Sequence, residues 1–284
     1  MTTVEPTEFR SGQRNQWNTA ASGWKKWSPM IDKGAAVVSE RLVELAGIKD
    51  GDRVLDVACG YGEPALTAAR RVGADGEVVA TDISAEMLAY GRERAAAAGL
   101  EHVRFIESEA AALDLDGESF DAALSRWGII FEPEAEATAA RIRGFLKQGA
   151  KMAISSWGPI DRAPMFGLTM GVVVKHLGVS PPPPGTPGPL SRPTPEALAG
   201  LLEGGGFSDV RVEEVDVVFE LGSPEEFTTY MREIAPPISA LMRDFPENAQ
   251  QGAWDAITDA AREHAGGDKP FTISNLALLA AGTA

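Results

Sequence analysis

The sequence predicts an α/β protein: a mostly parallel seven-stranded sheet with helices on both faces, its last strands antiparallel, and a helical cap drawn from the N-terminal and late segments. Three observations carry this. Between Arg53 and Trp157, short apolar runs alternate with helix-length amphipathic segments, a pattern that calls for parallel strands joined by right-handed crossovers. After Trp157, two long strand-like runs separated by helices suit an antiparallel pair at the sheet edge. The chain has 284 residues, 44% of them hydrophobic, which is enough for one large core with an appendage.

Taken in order, residues 1 to about 14 are polar and expected to be mobile. Gln16–Met30 carries Trp17, Trp24 and Trp27; Trp17 and Trp24 are seven apart and share a helical face, so the segment is a core-packed helix or a lid. Gly34–Ala46 is amphipathic and stopped by Gly47. IKDGD turns the chain into a strand at Arg53–Val57. A helix follows at Glu63–Val72, with Pro64 in its first turn. Strand Glu77–Ala80 precedes helix Ser84–Ala98, for which Ser84 is the N-cap. Strands are expected at Val103–Ile106, Phe120–Ser125 and Lys151–Trp157, with a helix at Glu134–Leu146. Met165–Leu177 reads as an apolar helix, and PPPPGTPGP as a stiff loop. Thr194–Leu202 is helical and ends at Gly204, Gly205 and Gly206. Strand Val210–Leu221, helices Pro224–Ile234, Pro237–Phe245 and Ala249–Ala265, and strand Phe271–Ala281 complete the chain. The implied organisation is a lid segment (1–33), a cofactor-binding core (34–157), an insertion with the proline loop (158–193) and a C-terminal part (194–284) with a helical insertion at 223–268.

A net charge of −15 disfavours nucleic acid and anionic membranes as partners. No run reaches the roughly 18 apolar residues of a membrane span. Cys59 is the single cysteine, and His102, His176 and His264 are widely spaced, so neither a disulfide nor a metal cluster is expected. With no apolar leader near the N-terminus, a reducing cytoplasm is the expected location. The late helices can cover a site or form a homodimer contact.

The chemistry centres on Arg53 to Ala65, RVLDVACGYGEPA. An apolar strand containing Asp56 runs into a glycine turn, and the next strand leads to Asp82. Two strand-end acids flanking such a turn suit an adenosine-containing cofactor. GYGEPA fits the dinucleotide pattern G-x-G-x-x-A, a weak signal by itself. A pyrophosphate needs free N–H groups and a positive dipole at the helix start. Here that place holds Glu63, an anion, and Pro64, which has no N–H. S-adenosylmethionine carries no phosphate and two positive charges, which carboxylates such as Asp56 and Glu63 would complement.

The stretches VLDVACGYGEPAL, VVATDISAEML, ESEAAALDLDGESFD and GFLKQGAKMAISSW, in this order, resemble the class I S-adenosylmethionine-dependent methyltransferases, nearest the small-molecule branch of ubiquinone and menaquinone C-methyltransferases. The resemblance covers about Gln16 to Trp157 and implies a Rossmann-like core. It implies that Asp56, Ala58, Gly60, Tyr61 and Gly62 hold the methionine end of the cofactor. Asp82 would hold the ribose, with Ile83 and Met87 beside the adenine. Glu109 would accept the adenine amino group, Ala110 would offer its N–H, and Ser125, Arg126 and Trp127 would flank the sulfonium. Ala58 stands where the family commonly has glycine, and Glu109 where it has aspartate. S-adenosylhomocysteine would be the product.

Methyl transfer from a sulfonium is an in-line displacement that asks mainly for positioning and desolvation. Trp24, Trp127, Phe131, Trp157, Met165 and Phe166 are the candidates for an apolar acceptor pocket, and His176 is the candidate base. An aromatic or apolar small molecule methylated at oxygen or carbon is the leading expectation. Alternatives are N-methylation of a small amine, a nicotinamide-dependent oxidoreductase, and a cofactor-binding protein without turnover.

Overall fold

The structure, a computed structural model, describes residues 6–284. One seven-stranded sheet organises the chain. Its strands are β1 (Arg53–Val57), β2 (Glu77–Asp82), β3 (Val103–Glu107), β4 (Phe120–Arg126), β5 (Leu146–Trp157), β6 (Ser208–Leu221) and β7 (Phe271–Thr283), in spatial order β3-β2-β1-β4-β5-β7-β6. β1 to β5 pair in parallel, while β7 runs antiparallel to both β5 and β6. This is the expected Rossmann-like sheet, parallel at its centre with its last strands antiparallel.

Side-chain alternation divides the core into two layers, as strand geometry dictates. Val54, Ala122, Leu124 and Ala153 face one layer; Leu55, Val57, Ala123 and Ile154 face the other. The first layer is closed by α1 (Pro6–Leu45), α2 (Ala65–Val72) and α3 (Ala85–Ala97), the second by α4 (Ala135–Arg143) and the helix Pro195–Gly204. Asp56 and Arg126 occupy positions of the first face, in step with Val54 and Leu124.

The N-terminal region departs from expectation. Residues 6–14 are helical, and α1 runs unbroken for 40 residues through the anticipated boundary at 33/34. The remainder of the polar N-terminal stretch lies outside the described residues. Pro29 sits inside α1 on its exposed face and leaves the Lys25 carbonyl without its usual amide donor. Ser28 Oγ donates to that carbonyl at 3.0 Å instead, and Tyr90 Oη lies 2.8 Å from the same hydroxyl. Gly34 does not start a second helix. It lets α1 approach β6: a Cβ there would lie 2.6 Å from Phe219 Cδ1 and 2.7 Å from the Val218 carbonyl oxygen.

Other boundaries shift by a few residues. β5 begins at Leu146, which pairs with Phe120 instead of ending the preceding helix. The Met165–Leu177 helix is three pieces: α5 (Pro164–Phe166), a π-turn at Gly167–Gly171, and α6 (Val172–Leu177). The Pro195–Gly204 helix is α7, followed by α8 (Pro224–Ile234), α9 (Pro236–Met242) and α10 (Glu247–Ala265) between β6 and β7. These last three helices and α1 form the cap. Ser84, Thr194 and Ser223 accept N-cap bonds from Met87, Ala197 and Glu226.

Gly34→Leu is expected to destabilise the protein by about 1–3 kcal/mol through overpacking against backbone and ring. Gly12→Ala in the same helix, with open space at its Cβ position, should be neutral or stabilising by up to about 1 kcal/mol. Urea unfolding of the two variants checks the pair.

Candidate active site

The strand order reverses between β1 and β4, since β2 and β3 lie to one side and β5 to the other. In open α/β sheets the crevice outside such a switch point is where ligands bind. A cavity occupies that place here, floored by Ala58, Cys59, Gly60, Tyr61 and Trp127 from the two strand ends and roofed by α1 and the cap.

Both strand ends are strained. Ala58 and Trp127 take left-handed backbone conformations (φ 57° and 54°), which non-glycine residues adopt at some cost. The reason is crowding. Trp127 N–H donates to Ser155 Oγ at 3.0 Å, and Ile129 N–H donates to Ser125 Oγ at 3.0 Å. A Cβ on Gly128 would meet Ala58 Cβ at 2.5 Å, so only glycine fits where the two turns touch.

Asp82 ties the glycine turn to β2. Its Oδ2 accepts from Gly60 N–H and its Oδ1 from Ser84 N–H, both at 2.8 Å. Burial pushes its carboxyl up to about 6 despite those amides, which pull it down. A carboxylate has about four acceptor sites, so two remain for ribose hydroxyls. Raising a carboxyl from 3.8 to about 6 means that its ionisation costs folding stability as pH rises through that window, on the order of 3 kcal/mol in full. A ligand that donates to Asp82 offsets this cost.

Asp56 is fully buried and off the cavity wall. Neither of its oxygens has a hydrogen-bond partner among the described residues; the Ala65 amide acts on it without hydrogen-bond geometry. Burial holds it well above the carboxylate range, opposed chiefly by the nearby Arg126 charge. This buried acid lies under the glycine turn on the same sheet face as Arg126, the charge that chiefly opposes its desolvation. Glu63, on the wall, accepts from Thr67 Oγ1 at 2.6 Å and lies 3.7 Å from Arg94.

Of the residues expected to hold a cofactor, Ala58, Gly60, Tyr61, Asp82, Ile83, Met87, Ala110, Arg126 and Trp127 line the cavity. Gly62 and Ser125 support the turns without reaching the wall. Glu109 is off the wall as well: its Oε1 accepts from Arg14 Nη2 at 2.9 Å, an ion pair that ties α1 to the adenine side. Ala110 opens a 3-10 turn, and the first N–H groups of such a turn lack intrahelical partners.

All six expected acceptor residues line the cavity. Trp127 and Trp157 stack at 4.2 Å with their planes 7° apart, and Phe166 meets Trp157 edge-on at 5.6 Å. Trp17 contacts Phe131 at 5.3 Å, and Trp24 contacts Tyr61 at 5.4 Å while donating to the Ile234 carbonyl. His176 is elsewhere. It is exposed on α6, with Nε2 3.1 Å from where a Gly252 Cβ would be, and is no part of the cavity. The wall also includes Arg10, Gln13, Phe219, Tyr230, Met231 and Ile238, which the sequence reading did not single out. The even apolar spacing of α8 was a signal for burial, but not for what it is buried against.

A family profile described as a methyltransferase domain matches residues 54–149. An uncharacterised Mycobacterium tuberculosis protein is 30% identical over 271 residues, 93% of each chain. The chain belongs to the S-adenosylmethionine-dependent methyltransferases. Partial matches include an aklanonic acid methyltransferase of a Streptomyces species (33% identity, 45% of this chain and 58% of that protein) and a 2-phytyl-1,4-naphtoquinone methyltransferase of Trichormus variabilis (35%, 40% and 51%). The methyltransferase spans little more than half the length of these two. Its fold is shared with a phosphoethanolamine N-methyltransferase of Haemonchus contortus solved with S-adenosylhomocysteine (TM-score 0.55, 19% identity, 99% of this chain and 60% of that one). The residues on the wall fit the cofactor: open acceptors on Asp82 for a ribose, and the Glu63 carboxyl toward a cationic end.

Three outcomes are expected. Affinity for S-adenosylhomocysteine, read by calorimetry, should fall as pH drops through about 6, because protonation removes an acceptor from Asp82. Asp82→Asn should lose roughly 30-fold in affinity at pH 8 and flatten that step. His176→Ala should leave kcat/KM within about twofold of wild type, since the residue touches nothing in the cavity.

Proposed function

We propose that this methyltransferase transfers the methyl group to a small apolar or aromatic acceptor, at oxygen or carbon. One observation carries the reading. Every residue that the chain after Trp157 contributes to the cavity wall is apolar or aromatic, including Met165, Phe166, Phe219, Met231, Ile234 and Ile238. Such a wall desolvates an acceptor of matching character and holds it by contact area. It carries no carboxylate to bind an ammonium, which favours oxygen or carbon over an amine.

When bound, S-adenosylmethionine supplies an activated methyl group on a sulfonium. The chain's own residues do the rest. Asp82 orients the adenosyl end and the Gly60 turn the methionine end, and the Trp127–Trp157 stack forms a flat apolar wall at the strand ends where the acceptor would lie. The cap excludes water, which keeps an acceptor oxyanion or nucleophilic carbon unsolvated. No histidine or carboxylate of the late segments faces the cavity, so an acceptor that ionises readily, such as a phenol or enol, suits this site.

Relatives named for aklanonic acid and for a phytyl naphthoquinone support an apolar acceptor. The net charge of −15 supports a partner set without nucleic acid, and the buried free thiol of Cys59 supports a reducing cytoplasm. Among the described residues, no helix is long and apolar enough to cross a membrane, and no cluster of metal ligands is present.

A turnover screen with S-adenosylmethionine against phenols, quinols and amines tests the reading. Methylation of phenols or quinols is expected, and turnover confined to amines would sink it. For any acceptor found, Met231→Ala should raise KM about tenfold while leaving the Kd for S-adenosylhomocysteine within about twofold.

A further inference from the structure

Five charged residues line the cavity: Arg10, Glu63, Asp82, Arg126 and Glu132. Arg10 is neutralised there, with Nε 3.1 Å from Glu132 and Nη2 3.6 Å from Glu134. Glu63 and Asp82 are anions. Arg126 is the remaining cation. It is 7% exposed, and among the described residues no acid lies within ion-pair distance of it.

What does hold Arg126 is neutral. Its Nη1 donates to Ser39 Oγ at 2.8 Å and its Nη2 to Tyr61 Oη at 3.2 Å. Tyr61 Oη in turn donates to Asp32 Oδ1 at 2.8 Å, and Asp32 Oδ2 accepts from Arg94 at 2.5 Å. The tyrosine therefore stands between Arg126 and the acid that would otherwise pair with it. The guanidinium also lies 5.4 Å over the Trp127 ring. Of five N–H donors in a planar fork, two are taken, both by hydroxyls. Burial alone would lower its pKa, but the Tyr61 hydroxyl and the charges of Glu63 and Asp32 hold it above its usual value, so the group stays cationic.

A buried guanidinium without a contacting acid is costly unless a ligand supplies the anion. The fork geometry matches a carboxylate in two-point contact. We infer that Arg126 is a carboxylate-binding residue of this cavity, receiving the α-carboxylate of S-adenosylmethionine or a carboxylate of the acceptor. Its bond to Tyr61, inside the glycine turn, favours the cofactor. Glu63 and Arg126, both on the cavity wall, would then complement the two charged ends of one amino-acid group. The inference rests on the cofactor assignment and is independent of the acceptor proposed above.

Calorimetry on the full chain separates the two sources. For the cofactor, S-adenosylmethionine is compared with its decarboxylated form. Loss of the carboxylate should weaken wild-type binding by about 30-fold and Arg126→Met binding by less than about threefold, with Arg126→Lys between. For the acceptor, protein saturated with S-adenosylhomocysteine is titrated with benzoate. Binding by wild type that disappears in Arg126→Met, with equal cofactor ratios in both proteins, places the carboxylate on the acceptor. No difference between the two proteins on either arm overturns the inference. If Arg126→Met does not fold, a wild-type cofactor ratio near one with no benzoate binding overturns it equally. Wild-type protein that binds neither cofactor form would overturn the cofactor assignment and the inference with it.

Discussion

The hydrogen bond from Tyr61 Oη to Asp32 is the contact on which the site most depends. It joins the glycine turn after β1 to α1 and gives the buried Tyr61 hydroxyl, which alone would be a desolvated polar group, a half-exposed acid as its acceptor. Arg94 reaches the same acid and also donates to the Tyr61 carbonyl at 3.2 Å, so α3 is drawn into the network. Arg126 adds the end of β4. Four elements distant in sequence are thereby fixed around one phenol. The shape of the turn and the position of the lid helix are set together.

The sheet supplies the other half of the constraint. Reversal of strand order between β1 and β4 opens a crevice, and the left-handed residues Ala58 and Trp127 let both strand ends turn sharply. Strain of this kind persists where the surrounding packing over-determines the backbone. Here Gly128 and the hydroxyls of Ser125 and Ser155 do so. The strain sits at the cavity floor, where it aims Trp127 toward Trp157.

Much of this was legible beforehand. The alternation of apolar runs and amphipathic segments placed all seven strands, because a strand buried on both faces and a helix buried on one leave different periods. The core stretch from Val54 to Trp157 carried most of the cofactor-facing residues, since they lie on short turns directly after strands. The errors have a common cause. The amphipathic pattern starts a helix at Gly34, whereas α1 runs through that residue, and tertiary contact with Phe219 requires the missing Cβ. Arg10 and Arg14 belonged to a stretch read as mobile, but the anions that order it, Glu132 and Glu109, lie far away in sequence. His176 was attractive as a lone titratable group near apolar residues, and only the packing of α6 on α10 shows which way it faces.

The sequence by itself determined the fold class and the placement of the glycine turn, because these depend on local periodicity and on residues within a short span, and the resemblance of four stretches between Val54 and Trp157 implied the cofactor. Only the tertiary structure decided the acceptor end of the cavity. Phe219, Tyr230, Met231 and Ile238 come from a strand and two helices far along the chain, and their apolar character is shared with any core. It likewise decided the standing of Arg126. A buried guanidinium is structural or ligand-binding according to whether an acid touches it, and that is a matter of distance, which no spacing along the chain records.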